Sequence, residues 1–327
     1  MTRAHILGTG SYAPEKVLTN HDLAKIVDTS DEWIVERTGI RERRMAGPHE
    51  ATSDMAVAAA VRALEMAQTR AEDLDAIIMG TITPDTPMPS SAALVAHKLG
   101  AKKAFGFDLA AACAGSLYGL SIASQYVASG AAKRILVIGA ELLTRIVDWT
   151  DRNTCVLFGD AAGAMVVGPS PDPERGILST HLHIDGSAAP ILQIPAGGSR
   201  QPVDAEILAK HLNKVSMNGR EVYKFAVRAL TDAVNEALGH NHMGPEAVTH
   251  VLAHQANLRI LDAVLSRVGI PKERAFTNIH KYGNTSSASL PMTCDEANRA
   301  GRLKEGDHIV MMAIGAGMAW GSAVVRW

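Results

Sequence analysis

Three residues far apart in this 327-residue chain have the types and settings for thioester chemistry: Cys113, His254 and Asn284. Cys113 lies in Phe107-Asp108-Leu109-Ala110-Ala111-Ala112-Cys113-Ala114-Gly115-Ser116, where an apolar strand gives way to a helix of small residues. Amides at a helix N-terminus favour an anion, so a Cys there is expected to have a lowered pKa and more of the nucleophilic thiolate. Small neighbours leave room for a substrate to approach. The competing reading is a buried structural Cys, the usual fate of a free thiol. Cys155 and Cys294 have apolar or helical neighbours and read as core or surface residues. His254 ends the run Val251-Leu252-Ala253 just before a helix, and strand C-termini are where α/β sheets place their sites. With 13 histidines in the chain, a satisfied structural ring is the alternative. Asn284, in Tyr282-Gly283-Asn284-Thr285-Ser286-Ser287, reads by itself as a helix N-cap. A thiol, an imidazole and an amide brought together would suit acyl transfer through a thioester.

The elements that must position them alternate. Apolar runs rich in Ile, Val and Met predict strands over 5–8, 76–80, 104–109, 134–140 and 164–168, then over 176–183, 249–254, 308–313 and 321–326. Between them, helices are predicted over 53–67, 90–99, 115–129, 219–238, 257–268 and 286–300. Such alternation implies an α/β fold with mostly parallel, buried sheets. The halves also resemble each other. Ala60-Val61-Arg62-Ala63-Leu64 recurs as Ala226-Val227-Arg228-Ala229-Leu230, each a helix leading into a strand. The strand ends Gly80 and His254 are 174 residues apart (254 − 80), and the same offset relates Lys133–Val137 to Asp307–Met311 and Ala110 to Asn284. The Pro-rich stretch 169–176 is the join, giving halves 1–170 (with Cys113) and 171–327 (with His254 and Asn284). A pseudo-twofold would aim both turns at one interface, where a site is expected.

The chain closely resembles the β-ketoacyl-[acyl carrier protein] synthase III family of the thiolase superfamily. The likeness runs from Gly8-Thr9-Gly10-Ser11-Tyr12 to the last strand. Its most specific stretches are Asp31-Glu32-Trp33-Ile34-Val35-Glu36-Arg37-Thr38-Gly39-Ile40, Ala110-Ala111-Ala112-Cys113-Ala114-Gly115, His254-Gln255-Ala256-Asn257-Leu258-Arg259-Ile260 and Gly283-Asn284-Thr285-Ser286. The resemblance implies a thiolase-like fold, two similar βαβ-type halves in a layered α-β-α-β-α sandwich. It implies that Cys113 takes an acyl group from acyl-CoA, and that His254 and Asn284 stabilise the enolate formed when malonyl-carrier protein loses CO2. A second oxyanion hole would use the backbone N–H groups of Cys113 and Ala316. Ile314-Gly315-Ala316-Gly317-Met318 departs from the family's triple glycine with flanking aromatics. An Ala keeps the donor provided its φ is negative. Coenzyme A would meet Trp33, Arg37 and Arg152, which suit adenine and phosphates, and Asn257 would hold the pantetheine arm. Arg259 and Lys224 would dock the acidic carrier protein; ordinary solvated cations are the other reading. Met88 and Ile314, standing where acetyl-specific members carry aromatics, imply a more adaptable primer pocket. The resemblance further implies a homodimer meeting through the strand at 104–109. No cofactor is expected, since the CoA thioester is a substrate.

Other readings are weaker. A thiolase carries a second catalytic Cys near its C-terminus, whereas no Cys follows Cys294. Elongating condensing enzymes use Cys-His-His, and Asn284 argues against them. A related condensing or acyl-transfer enzyme of secondary metabolism is the alternative, since the three residues do not fix a pathway. A scaffold that binds the carrier protein without catalysis would have lost the Cys.

Composition bounds all of this. A net charge of −2 argues against nucleic-acid binding, and 47% hydrophobic residues against disorder. Three scattered Cys do not make a disulfide framework, and no Cys/His spacing suggests zinc. The apolar start breaks at Gly8, before a signal-peptide core could form. The uncharged run 309–325 holds three glycines, falls short of a membrane span and reads as two strands with a turn. A cytoplasmic protein is therefore expected, with no membrane partner.

Overall fold

The computed structural model describes residues 2–327. Ten strands form two five-stranded sheets with the same order. The first contains β1 (Ala4–Tyr12), β2 (Ala76–Gly80), β3 (Phe105–Leu109), β4 (Ile135–Glu141) and β5 (Ala161–Pro169), in the order β1-β5-β4-β2-β3. The second contains β6 (Gly176–Ile184), β7 (His250–Ala253), β8 (Ala275–Phe276), β9 (His308–Gly315) and β10 (Ala319–Arg326), in the order β6-β10-β9-β7-β8. Each position in the first sheet thus has its counterpart in the second, as the constant offset predicts.

The sheets are mixed rather than mostly parallel. In the first, β2 runs parallel to β3 and β4, while β5 is antiparallel to β4 and β1. The second repeats this pattern. Residues 316–318 alone join β9 to β10, far too few for the crossover that a parallel neighbour needs. The uncharged run is accordingly a hairpin.

Helices fill the layers. α1 (Asp31–Thr38) leads toward the site, and α2 (Thr52–Met66) and α3 (Ser91–Leu99) cover the outer face of the first sheet. α4 (Gly115–Ala128) and α7 (Ser289–Arg299) lie between the sheets; α5 (Gly219–His240) and α6 (Leu258–Val268) cover the second. The result is the expected α-β-α-β-α sandwich. Leu117, Leu120, Ala123 and Val127 of α4 join side chains from both sheets in one core, so this helix is apolar on more than one face. In α6, Ile260, Leu261, Val264, Leu265 and Val268 face inward, Asn257 caps the start, and Gly269 at φ 85° ends it. No helix among the described residues is long and apolar enough to cross a membrane.

Candidate active site

Two turns, one after β3 and one after the short helix Ile279–Tyr282, face each other across the interface of the halves. In each, one turn of 3-10 helix (Ala112–Ala114, Ser286–Ala288) runs directly into a central helix. Cys113, His254 and Asn284 line one cavity of about 950 Å³. All three are buried, being 8%, 8% and 7% exposed, so they form its floor rather than its rim.

Cys113 sits in the 3-10 turn, before α4 begins. Burial pushes its thiol up to about 12, with the nearby Glu141 carboxylate acting in the same direction and the Ser286 hydroxyl against it. This corrects the expectation of a lowered pKa: desolvation of the anion outweighs the donors of the turn. At ordinary pH Cys113 is therefore a thiol.

His254 follows β7, its backbone N–H donating to the Met312 carbonyl at 2.8 Å. Burial lowers its pKa to about 3, so the ring is neutral at ordinary pH. Its Nδ1 is sealed in protein without a partner in hydrogen-bond geometry, although the Ser286 carbonyl lies close enough to favour protonation slightly. Asn284 is fixed on both sides of its backbone: its N–H donates to Leu157 at 2.8 Å, and its carbonyl accepts from Gly159 at 3.0 Å. Its side-chain Oδ1 accepts from the Ser286 N–H at 2.9 Å. That bond sets the amide orientation and leaves the Nδ2 donor without a protein partner among the described residues. The Asn is thus a cap-like turn residue and a free donor at once.

The mouth of the cavity is lined by Trp33, Arg37, Asn257, Arg259 and Lys224. Trp33 is covered by two guanidinium groups: Arg37 Cζ is 4.6 Å and Arg152 Cζ 5.1 Å from its ring centroid. Arg152 does not itself line the cavity; its Nη1 donates to the Asp28 carbonyl at 2.8 Å. Asn257 is occupied as the cap of α6, accepting from Arg259 N–H at 2.8 Å and donating to the Arg37 carbonyl at 2.9 Å. Lys224 pairs with Glu221 at 2.9 Å on the exposed surface. Sequence reasoning missed Arg220, which shares this mouth. A cation one position into a polar helix start gives no signal of its own.

A second, small apolar cavity of about 70 Å³ opens beside Cys113 and Ala316. Its walls include Ile82, Leu143, Phe158, Leu192 and Val215. None was legible as a pocket residue, because each comes from a different segment. Ala316 has no left-handed φ, so its alanine is unstrained. Gly315 allows the loop to touch the Cys113 turn: a Cβ there would overlap the Cys113 amide. Ile314 lines the large cavity instead of the small one. Met88 lines neither cavity of its own chain and is 85% exposed.

Comparison with known proteins agrees in fold and sequence. Family models described as 3-oxoacyl-[acyl-carrier-protein (ACP)] synthase III and its C-terminal part match residues 107–186 and 238–327. The β-ketoacyl-[acyl-carrier-protein] synthase III of Caldanaerobacter subterraneus subsp. tengcongensis is 51% identical over 99% of this chain and 98% of its own. That of Desulfitobacterium hafniense (strain DCB-2) is 49% identical over 100% and 98%. The crystal structure of 3-oxoacyl-[acyl-carrier-protein] synthase III from Aquifex aeolicus superposes with a TM-score of 0.92 at 47% identity, covering 99% of this chain and 100% of that one.

Proposed function

The chain belongs to the 3-oxoacyl-[acyl-carrier-protein] synthase III family, as a condensing acyltransferase that initiates fatty acid synthesis, and we propose that it joins an acyl-CoA primer to malonyl-carrier protein. The observation that carries this reaction is the convergence of a thiol, a neutral imidazole and a free amide donor on the floor of one cavity. A role in secondary metabolism is not favoured, since relatives about half identical over the whole chain share the β-ketoacyl-[acyl-carrier-protein] synthase III name.

In the first half-reaction the Cys113 sulfur attacks the thioester carbon of acyl-CoA. The new S–C bond replaces the bond to the CoA sulfur, and the thiol proton ends on CoA. Trp33, Arg37 and Arg152 hold the nucleotide end and Asn257 lies along the pantetheine path. In the second, malonyl-carrier protein loses CO2. The electron pair of the broken C–C bond becomes an enolate, whose oxygen is held by His254 and Asn284 Nδ2. Donors fixed in advance in a water-poor site stabilise developing charge strongly. A neutral His254 serves as a donor through a single N–H. The enolate carbon then attacks the acyl group on Cys113, with backbone N–H groups of Cys113 and Ala316 around the oxyanion. The bond between the acyl carbon and the Cys113 sulfur breaks, the thiolate takes up a proton from water, and the products are β-ketoacyl-carrier protein and the Cys113 thiol, with no cofactor entering.

The small cavity beside Cys113 takes the primer's acyl tail. Its volume of about 70 Å³ equals roughly two water-sized groups, so short acyl chains fit as it stands. Longer or branched chains require side chains to move. Met88 is exposed in the loop that leads into α3, and Phe105, on the unpaired edge strand β3, is 45% exposed. Edge strands call for a cover; a homodimer meeting at β3 supplies it and brings the partner's Met88 toward the pocket. Arg259, Lys224 and Arg220 dock the acidic carrier protein at the mouth, in the cytoplasm. The test is incubation with radiolabelled acetyl-CoA and malonyl-carrier protein. Label on Cys113 followed by a labelled β-ketoacyl product supports the reading, and no label on Cys113 sinks it.

A further inference from the structure

Glu141, at the end of β4, is 0% exposed, and none of its hydrogen-bond partners is a cation. Burial raises its pKa, opposed by the donors around it. Those donors come from two places. Oε2 accepts from Thr81 Oγ1 at 3.2 Å, the Ile82 N–H at 3.1 Å and Thr83 Oγ1 at 2.7 Å, all in the loop after β2. Oε1 accepts from Ser286 Oγ at 3.1 Å and Ser287 Oγ at 3.0 Å, both in the turn of the other half. The carboxylate thus spans the interface between the halves, one oxygen on each side.

What it holds is the scaffold of the enolate donors. Ser286 donates its N–H to Asn284 Oδ1, and its carbonyl faces His254. Ser286 is also strained, at φ 50°, a conformation a non-glycine residue keeps only when its surroundings hold it there. Ser287 is pinned further by its hydroxyl contact with the Gly80 carbonyl at 2.7 Å. By contrast, no donor to Glu141 comes from the Ala112–Gly115 turn. A Cβ on Gly139, two residues earlier on β4, would overlap the Ser287 carbonyl, so β4 and the amide turn are in direct contact.

We propose that Glu141 is a positioning residue for the decarboxylation half-reaction: by bridging the Thr81–Thr83 loop to Ser286 and Ser287, it places Asn284 and His254 for the enolate, while acylation of Cys113, which it reaches only through its charge and the Ser286 hydroxyl, depends on it far less. This rests on the condensing reaction assigned above. Misplacing a donor by a fraction of its bond length is enough to cost a rate one to two powers of ten.

The experiment separates the half-reactions. Glu141→Ala, Glu141→Gln and Ser287→Ala are assayed for malonyl-carrier protein decarboxylation and, independently, for acylation of Cys113 by acetyl-CoA using intact-protein mass. Glu141→Ala is expected to lose decarboxylation by about 10–100-fold, with acylation within about threefold. Glu141→Gln keeps the reach and one carbonyl oxygen for the Ile82 N–H, so it should restore most of the decarboxylation. Adding Glu141→Ala to Asn284→Ala should cost less than the product of the two single losses, because the part of the Glu141 effect that passes through Asn284 is already gone. Should Glu141→Ala fail to fold, Ser287→Ala, which removes the hydroxyl's contacts with Glu141 and the Gly80 carbonyl and leaves the Ser286 bond to Glu141 in place, must show the same split on a smaller scale. Equal loss of both half-reactions, or unchanged decarboxylation, overturns the positioning role. A parent protein that neither accepts an acyl group nor decarboxylates malonyl-carrier protein overturns the condensing reaction instead.

Discussion

At Ala112 the backbone takes φ 44°, and at Ser286, 174 residues later (286 − 112), it takes φ 50°. Neither residue is glycine, and the left-handed region costs an L-residue about 1–2 kcal/mol. Both open a 3-10 turn that leads into a central helix, at Gly115 and at Ser289. The backbone device is the same in both halves; the side chains it presents and the supports beneath it differ. One turn carries a thiol one residue later, and the other carries an amide two residues earlier. Beneath the thiol turn lies Gly315, whose missing side chain lets the Cys113 amide come close. Its counterpart at the same offset is Glu141, whose carboxylate reaches up to Ser286 and Ser287. The duplicated scaffold therefore supplies position, and one substituted support decides which turn is packed against backbone and which is tied by hydrogen bonds.

The sharpest way to break this comparison is to remove one turn's chemistry and ask whether the other's survives. Cys113→Ala should abolish condensation, a loss of more than about 10³-fold, while malonyl decarboxylation at His254 and Asn284 continues. Retained condensation by product assay would refute the assignment. The converse is somewhat smaller. Asn284→Ala or His254→Ala should lower decarboxylation by about 10²–10³-fold and leave acylation of Cys113 within a few-fold by mass. Loss of acylation with decarboxylation intact would mean that the roles are reversed.

A third outcome concerns the resting thiol. With its pKa pushed up to about 12, the thiolate fraction of Cys113 rises with pH throughout the neutral range. Alkylation by iodoacetamide should accelerate about tenfold per pH unit from pH 7 to 9, without levelling. A plateau below pH 8 would show that the turn's donors outweigh burial after all. Primer length should be felt on one side only. Each methylene that fits is worth about 0.8 kcal/mol, roughly fourfold, so lengthening the acyl-CoA should change acylation and not decarboxylation. Comparing acetyl-, butyryl-, isovaleryl- and octanoyl-CoA in the parent and in Met88→Phe measures how far the walls yield; acetyl preferred over all others by tenfold or more, with Met88→Phe silent, would end the case for an adaptable pocket. The smallest effect is on stability. Ala112→Gly relieves the left-handed strain at no cost in hydrogen bonds, so its Tm should stay within a few degrees of the parent. Ser286→Gly removes the bond to Glu141 as well and should fall further.

Much of this was legible in the chain. The offset between the halves, read from Gly80 and His254, reappears as two sheets of identical strand order. The apolar spacing of 260–268 gave a helix with the expected buried face, and the three chemistry-bearing residues do share one cavity. The parallel bias failed where a three-residue link made a hairpin of β9 and β10. The lowered pKa at Cys113 failed for another reason. A helix start is visible in sequence, but the loop at Gly315 and the turn at Ser286 that shut out water are not. Glu141 was invisible as well, since it falls just past the strand predicted over 134–140 and no neighbouring residue marks it as buried.

The sequence by itself determined the alternating elements, their duplication and which thiol, imidazole and amide stand at the turns that come together. These depend on side-chain periodicity, on turn chemistry and on residue type, all of which act over a few neighbouring positions. Only the tertiary structure decided the charge state of Cys113 and His254, the orientation of the Asn284 amide, the small cavity built from five segments and the bridge made by Glu141. Each of these depends on which distant groups exclude water or donate a hydrogen bond, and burial and dielectric are properties of the packed molecule rather than of any stretch of chain.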